Sequence, residues 1–235
     1  MNKIFPSCDA AVADIHDGAV VMVGSFGSYA GLPVNLITAL ARQGTKNLTV
    51  IANMGGVGFE LTKRIKPEGY QDLGLLFEQA QVRKFIGSVP ALGGMPPDSP
   101  LERLHREGKV EIEVVPQGTL AERIRCGAGG LGGFYTTVGV GTVVEKGKEK
   151  KVIQGREYIL ELPLKADFAL IKAHRADSLG NLVYRQTARC FNPVMATAAR
   201  VTIVEVDKLV AVGELDPESI VTPHVYVTRI VEVPR

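Results

Sequence analysis

The hydrophobic pattern of the chain is a series of short apolar runs, several of which end at glycine or at a polar residue. Ala19 to Val23 is an unbroken apolar run that stops at Gly24, and Leu48 to Ala52 is a second one that stops at Asn53. Runs of this length without polar alternation are typical of strands buried on both faces of a sheet. The pattern therefore predicts buried parallel strands covered by helices.

Helices are predicted between these runs from amphipathic spacing and helix-start signals. Ser99-Pro100-Leu101-Glu102 has capping-box spacing with proline at the first helical position, and Thr119 to Glu122 repeats that spacing. The other predicted helices are Cys8–Ile15, Pro33–Leu40, Leu73–Val82 and Asn192–Ala199, with Asn192 as the cap; the other predicted strands are Val82–Ile86, Val110–Val115, Phe168–Ala173, Val201–Val206 and Tyr226–Val233. Strands alternating with helices predict an α/β fold, a mostly parallel sheet flanked by helices on both faces.

The length of 235 residues suits a single α/β domain spanning 1–235, which would bury roughly 70–75% of the surface of the unfolded chain. Thr142–Val144 and Val152–Ile153 flank a charged segment and predict a small β-hairpin excursion. The segment 91–100 contains two adjacent glycines and three prolines, and we expect it to be a mobile loop.

Charge and composition exclude several classes of partner. The net charge is +2, with 27 basic and 25 acidic residues interspersed, so no nucleic-acid partner is expected. No apolar run approaches the roughly 20 residues that span a bilayer, and the N-terminus lacks a signal-peptide core, so we expect a soluble protein that is not exported. Cys8, Cys126 and Cys190 lie far apart without a Cys-x-x-Cys pair, which predicts neither disulfides nor zinc and favours the cytoplasm.

Several residues that suggest other chemistry are better explained by structure. Segment 127–132 matches the Gly-x-Gly-x-x-Gly dinucleotide fingerprint, but it follows a helix and leads into a β-rich segment, the reverse of the required order, so NAD binding is not expected. Glu60 is interpreted as an exposed helix-start carboxylate and Cys126 as a packing residue. The four histidines lack ligand spacing and predict no metal site; they are His16, His105, His174 and His224.

The segment from Gly24 to Gly31 joins the first strand to a helix that begins near Pro33. Its glycines can adopt positive φ and allow backbone N–H groups to approach a ligand closely. A glycine-rich turn at a helix N-terminus is a place where anionic groups can bind. On this segment alone, glycines that serve only the geometry of a tight turn are an equal alternative.

Three strand-to-helix junctions are expected to meet at one edge of the sheet, where ligands of such folds bind. They carry the turn from Gly24 to Gly31, Asn53 and Gln117. Asn53 and Gln117 are neutral donors suited to a carboxylate or to the oxyanion of a tetrahedral acyl intermediate, and one such donor is worth about 3 kcal/mol in a transition state. The alternative is that Asn53 caps a turn and Gln117 is solvated.

These segments resemble the family I coenzyme A transferases, specifically their A (alpha) subunits. The first family signature, an Asp-Gly, an apolar run, Gly-Gly-Phe, a further glycine and a proline, is similar to Asp17–Pro33. Ser25 replaces the second glycine, and one extra residue lies between Phe26 and Gly31. Other segments similar to the family, some of them of the bacterial 3-oxoacid or 3-oxoadipate type, are Pro116–Arg125, Gly133–Thr142, Asp167–Ala173, Ala188–Asn192 and Gly213–Pro223.

The resemblance implies a Rossmann-like CoA-transferase fold and a role for each junction. It implies that Asn53 contacts the acyl group near the oxyanion and that Gln117 lies by the carboxylate of the acid substrate. It also implies that CoA contacts the turn, whose residues are Gly24, Ser25, Phe26, Gly27, Ser28, Tyr29, Ala30 and Gly31. The family usually has a second asparagine where this chain has Met54, which makes the pocket less polar.

The resemblance also implies a partner, the B (beta) subunit. The family's nucleophile is a glutamate in a Ser-Glu-Asn-Gly motif that this sequence lacks, and exchange of CoA between acids needs an activated covalent intermediate. The expected enzyme is a heteromer, A2B2, in which the beta subunit carries a glutamyl-CoA thioester and CoA passes from a donor such as succinyl-CoA to a 3-oxo acid such as acetoacetate or 3-oxoadipate. CoA is then a substrate, and no permanent cofactor is expected.

Two alternatives stay open. One is a two-subunit CoA-thioester hydrolase of the same superfamily, which would release CoA to water. The other is a non-catalytic effector-binding domain of similar topology, as in sugar-responsive regulators, although no helix-turn-helix segment or basic patch supports it.

Overall fold

The fold is known from a computed structural model that describes residues 2–27, 30–65, 71–90 and 98–233. Ser28 and Tyr29 of the glycine-rich turn and residues 91–97 of the expected mobile loop lie outside the described residues. The α-helices in the described ranges are α1 (Cys8–Val12), α2 (Val34–Gln43), α3 (Phe59–Ile65), α4 (Gly74–Glu78), α5 (Pro100–Arg106), α6 (Gln117–Gly129) and α7 (Asn192–Thr197).

The strands form one large sheet and one small sheet. They are β1 (Val20–Val23), β2 (Leu48–Met54), β3 (Val82–Val89), β4 (Glu111–Val114), β5 (Phe134–Thr136), β6 (Lys150–Ile153), β7 (Arg156–Glu161), β8 (Ala166–Asp177), β9 (Leu182–Val183), β10 (Ala199–Val210) and β11 (Arg229–Glu232). The large sheet has the order β11-β10-β8-β1-β2-β3-β4 with every neighbouring pair parallel, and β9 pairs antiparallel with β8. The predicted mostly parallel sheet is confirmed.

Successive residues of the central strands pack into opposite hydrophobic clusters, because side chains of a strand alternate between the two faces. Val21 and Val23 of β1 pack on the face covered by α1, α2, α4 and α5, whereas Met22 packs on the face covered by α6 and α7. All three are fully buried. The expected helices on both faces are therefore present, and the unbroken apolar run is explained.

Two predicted helix starts differ in outcome. Ser99 forms the capping box, accepting from Glu102 N at 3.3 Å while its own N–H donates to the Glu102 carboxylate at 2.9 Å. The second box is wrong, since α6 begins at Gln117 after Pro116 and Thr119 is a buried residue inside the helix. Pro116, with φ near −52°, suits the residue that leads into the helix.

The predicted hairpin is displaced along the chain. Residues 143–145 form a 3-10 turn, and the hairpin consists of β6 and β7, which with β5 make an antiparallel sheet of order β5-β7-β6. Gly139 and Gly141 have φ of +95° and +76°, and Thr142 Oγ1 accepts from Val144 N at 3.2 Å. These local turns hold residues 139–145 out of strand conformation, so the pairing moves to the charged residues that follow.

The small sheet is joined to α6 by a partly buried ion-pair network. Arg123 donates to the carbonyl of Leu162 at 2.8 Å and to the Glu113 carboxylate at 2.7 Å, and it lies 3.7 Å from the carboxylate of Glu161. The Glu161 side chain is only 1% exposed and also pairs with Lys148.

Among the described helices, none is long and apolar enough to cross a bilayer.

Candidate active site

The carboxyl ends of β1 and β8 form the point where the strand order reverses. From β1 the chain continues through α2 to β2 on one side, whereas from β8 it reaches β10 on the other side through α7. The two helices pack on opposite faces of the sheet. In open α/β sheets the crevice at such a point is where ligands bind.

The turn after β1 lies at this crevice. Gly24 N still donates to the carbonyl of Leu170 on β8 at 2.9 Å, and the chain then leaves the sheet. Phe26 N donates to Ala30 O at 3.0 Å and closes the turn. Gly27 and Gly31 have φ of +68° and +65°, which explains why glycine occupies both positions.

Asn53, near the end of β2, contacts this turn. Its Oδ1 accepts from Gly27 N at 3.3 Å, and the residue is only 3% exposed. The apolar Met54 follows it and is 8% exposed. The first two junctions are therefore joined by a direct hydrogen bond, with the amide nitrogen of Asn53 as the remaining donor.

Gln117, the third junction residue, is exposed at the first position of α6. Together with Phe26, which is 51% exposed, it lines an open and largely apolar groove of about 270 Å³. The other residues that line the groove are Ala121, Cys190, Phe191 and Val194. All three predicted junctions thus adjoin at one edge of the sheet.

The N-terminus of α2 is already occupied by a carboxylate of the protein. Glu205 of β10 accepts from Asn35 N at 2.8 Å and from Leu36 N at 3.0 Å, and it is 1% exposed. Lys172 lies 3.4 Å from the same carboxylate. These two helix N–H groups are therefore already satisfied by an internal carboxylate.

A second cavity of about 370 Å³ adjoins the far end of the turn at Ala30 and Gly31. Asp207 in its wall pairs with Lys172 at 2.8 Å and with His174 Nδ1 at 3.0 Å. Residues of the glycine turn line both sites, Ala30 and Gly31 in this polar cavity and Phe26 in the apolar groove.

The sequence of the chain matches a known protein family. A family model described as "Coenzyme A transferase" matches residues 5–233. The chain belongs to the coenzyme A transferase family.

This coenzyme A transferase chain is similar to alpha subunits from bacteria over nearly its whole length. It is 46% identical over 234 residues to the A (alpha) subunit of 3-oxoadipate CoA-transferase from Pseudomonas putida, covering 99% of this chain and 94% of that one. It is 43% identical over 231 residues to the corresponding subunit of the probable succinyl-CoA:3-ketoacid coenzyme A transferase from Bacillus subtilis (strain 168), covering 98% and 90%.

A solved structure has the same fold. The acyl-CoA transferase from E. coli O157:H7, in a thioester complex with CoA, superposes with a TM-score of 0.82 at 23% identity over 99% of this chain. The match covers 47% of the E. coli chain, so this chain spans about half of it. The CoA-transferase fold implied by the sequence resemblance is confirmed.

The other residues of this coenzyme A transferase chain that suggested different chemistry have structural roles. Glu60 lies in the first turn of α3 and pairs with the exposed Lys63 at 2.6 Å, as interpreted from the sequence. Cys126 is fully buried in α6, which confirms its packing role. Segment 127–132 begins in the last turn of α6, so its context is indeed the reverse of the dinucleotide fingerprint. Within the described residues no cluster of three or more histidine, cysteine or acidic side chains is arranged to hold a metal ion.

Sequence reasoning missed Asp72, which organises the loop behind Asn53. Its carboxylate is 1% exposed and accepts from Val57 N at 2.6 Å, Gly58 N at 3.1 Å and Gly74 N at 2.9 Å. The contact with Gly74, two residues on, is the kind that aspartate commonly makes with its own backbone and was the one available signal. The contacts with Val57 and Gly58 could not be predicted from the sequence, because they join segments that lie apart in the chain.

Proposed function

We propose that this chain is the alpha subunit of a heteromeric CoA-transferase that moves CoA between an acyl-CoA, such as succinyl-CoA, and a 3-oxo acid, such as acetoacetate or 3-oxoadipate. Full-length similarity to alpha subunits named for 3-oxoadipate and 3-ketoacid transfer supports this choice of acid. The observation that carries the proposal is the hydrogen bond between Gly27 and Asn53 beside a groove shared by Phe26 and Gln117.

Each junction has a chemical role in this proposal. The amide nitrogen of Asn53 donates to the acyl oxygen as negative charge develops there, and the amide of Gln117 donates to the carboxylate of the acid. The turn from Gly24 to Gly31 contacts CoA. Neutral donors held in place stabilise developing charge without a proton transfer. The apolar side chains of Phe26 and Phe191 exclude water, which strengthens these hydrogen bonds.

The nucleophile comes from the beta subunit. The groove has no acidic residue among the described residues that line it, and the sequence has no Ser-Glu-Asn-Gly motif. The partner's glutamate oxygen attacks the thioester carbonyl, the C–S bond breaks, and CoA leaves as the thiolate. The thiolate then attacks the glutamyl carbonyl, releasing the donor acid as a carboxylate and leaving the glutamyl-CoA thioester. In the second half-reaction, the carboxylate of the acceptor acid attacks the glutamyl-CoA thioester and CoA leaves as the thiolate. The thiolate then attacks the carbonyl of the acceptor, which forms the new CoA thioester and frees the glutamate.

The proposed assembly is an A2B2 heterotetramer in the cytoplasm, with CoA as a substrate and no permanent cofactor. Cys8, Cys126 and Cys190 are unpaired thiols in the structure, which suits a reducing compartment. The test of assembly is the molar mass of the complex that this chain forms with the beta subunit, measured by light scattering after size-exclusion chromatography.

The decisive experiment compares the chain alone with the chain mixed with the beta subunit. Succinyl-CoA and acetoacetate or 3-oxoadipate are supplied, and the products are followed by mass spectrometry and by a thiol reagent. We expect no turnover from the chain alone and formation of the acceptor's CoA thioester by the mixture. Free CoA without the new thioester would indicate a hydrolase. No turnover by the mixture, with ligand binding alone, would favour an effector-binding domain.

A further inference from the structure

The parallel ladder between β1 and β8 stops halfway through Gly24. Val23 pairs with Leu170, and Gly24 N donates to Leu170 O at 2.9 Å. In a continuing parallel ladder, the carbonyl of Gly24 would accept from Lys172 N. Lys172 N instead donates to Oδ1 of Asn192 at 3.0 Å. The side-chain oxygen of Asn192 thus replaces the backbone carbonyl of Gly24 as the acceptor at the point where β1 leaves the sheet.

The nitrogen of the same amide holds two other backbone segments. Asn192 Nδ2 donates to Gly31 O at 3.0 Å and to Ala188 O at 3.0 Å. The residue is fully buried, and both amide hydrogens and the amide oxygen are used. One side chain therefore connects β8, the end of the glycine turn and the 3-10 turn at 186–189.

Both ends of the glycine turn press against this amide. A β-carbon on Gly24 would lie 1.9 Å from Asn192 Oδ1, and one on Gly31 would lie 2.6 Å from Asn192 Nδ2. No residue larger than glycine fits at either position beside the amide. The path of the chain into the turn is thus set by contact with Asn192, and its path out of the turn by contact with Asn192 and with Ala188 O, 2.3 Å from a β-carbon on Gly31.

The segment that shares this amide is held in an unfavourable backbone conformation. Gln186 and Cys190 have φ of +50° and +42°, values that side-chain-bearing residues rarely adopt. Between them, Ala188 presents the carbonyl that Asn192 binds, and Cys190 Sγ contacts Ala30 O at 3.5 Å. Such conformations persist where the surrounding structure determines them and cluster at functional sites.

We propose that Asn192 is a positioning residue for the transfer reaction, an inference that rests on the proposed function. It separates the turn from β8 and so places Gly27 against Asn53 and Phe26 in the groove. Phe191 and Val194, its neighbours around α7, line the groove themselves. α7 therefore carries both the amide of Asn192 and part of the groove wall. The hydrogen bond from Asn192 to Gly31 fixes the position of the turn relative to that wall.

The test compares Asn192→Ala with a matched control, Gln81→Ala. Gln81 is also a fully buried amide that donates two hydrogen bonds to backbone carbonyls, those of Leu40 and Thr45, both at 3.0 Å. It lies just before β3, at the amino edge of the sheet opposite the groove. Both variants lose two hydrogen bonds donated to backbone carbonyls, and Asn192→Ala also loses the bond accepted from Lys172 N, so both should lose stability towards denaturant and Asn192→Ala should lose more.

Only Asn192→Ala should lose activity in the complex with the beta subunit. We expect kcat/KM for the acyl-CoA to fall by about tenfold or more, while Gln81→Ala stays close to wild type once the folded fraction is counted. An equal loss in both variants, or wild-type kcat/KM in Asn192→Ala, would overturn the inference. Asn192→Asp, of the same shape but without the two donors, takes the place of Asn192→Ala if that variant does not fold.

A second measurement needs neither substrate nor partner. Amide hydrogen exchange at Phe26 and Gly27 should become faster in Asn192→Ala by about tenfold or more, and should not change in Gln81→Ala. Unchanged exchange at these amides would also overturn the inference. If the wild-type complex transfers no CoA, the proposed function fails, and the exchange rates still decide whether Asn192 positions the turn.

Discussion

A β-carbon added to Gly24 would lie 1.9 Å from Oδ1 of Asn192, far inside the contact distance of two non-bonded atoms. Gly24 is where the first strand leaves the sheet, and Asn192 is the residue whose amide then takes over the hydrogen bond from Lys172 N. The two residues are remote in sequence. The absence of a side chain at one is the condition for the buried amide at the other.

Gly24→Ala should therefore damage both folding and activity. The clash is with a buried amide whose oxygen and nitrogen are hydrogen-bonded, so it cannot be relieved by a simple rotation. We expect a loss of about 1–3 kcal/mol in the free energy of unfolding, measured by chemical denaturation, and reduced transfer by the complex with the beta subunit. Gly132→Ala is the control, because a β-carbon there would meet nothing within 4 Å. Equal denaturation midpoints for the two variants would contradict the prediction.

Gln117→Ala should lower turnover with the carboxylate acceptor while leaving the fold intact. Gln117 is exposed at the start of α6, and a hydrogen bond to a charged group is worth about 1.5–3 kcal/mol, or roughly tenfold or more in rate. Steady-state kinetics of the two-subunit complex give the result. Glu122→Ala, an exposed change on the same helix, should have wild-type kinetics. Unchanged turnover in Gln117→Ala would remove this residue from the site.

Glu205→Gln should change how stability depends on pH. Burial raises the pKa of Glu205 above its ordinary value of 4.5, against the opposing effects of Lys172 and the α2 hydrogen bonds. The folded state therefore holds a proton that the unfolded state releases, so the contribution of Glu205 to stability is lost as pH rises above about 4.5 towards the folded pKa. Glutamine keeps an acceptor for α2 and does not titrate.

The measurement is the free energy of unfolding of both proteins from acidic to neutral pH. Relative to Glu205→Gln, the wild type should become less stable as pH increases through this range. Parallel profiles would show that Glu205 does not carry the expected proton in the folded protein.

Arg123→Ala should destabilise the junction between α6 and the small sheet. The arginine side chain is 10% exposed, and its removal leaves Glu161, at 1% exposed, with one fewer positive neighbour in a buried site. We expect a loss of about 1–3 kcal/mol in the free energy of unfolding, because the Leu162 carbonyl loses its donor and Glu161 loses one of its two positive neighbours while keeping Lys148. Thermal or chemical denaturation measures the loss. Arg125→Ala removes an arginine two residues on that forms only an exposed pair with Glu122, and it should change stability by less than about 1 kcal/mol.

The architecture was predictable because it follows from local patterns. The apolar runs that end at Gly24 and Asn53 predicted buried strands, and their alternation with helices predicted a parallel sheet. In such a sheet the junction residues must meet at one edge, which is how the turn, Asn53 and Gln117 could be grouped before their contacts were known. Those contacts bear out the grouping, and the chemical roles stay predictions for the experiments above.

The details of the site were decided by partners far apart in the chain. Asn192 was expected to cap its own helix, yet its amide binds the carbonyls of Gly31 and Ala188 and the N–H of Lys172. Glu205 carried no signal in its strand, yet it occupies the helix N-terminus expected to receive a ligand.

Periodicity and turn chemistry along the sequence by themselves determined which segments are strands and helices and at which edge of the sheet their junctions meet. Which buried polar group satisfies which backbone group was decided only by the tertiary structure. The physical reason is that a buried amide or carboxylate must find a hydrogen-bonding partner, and only packing of the folded chain determines which one lies within 3 Å.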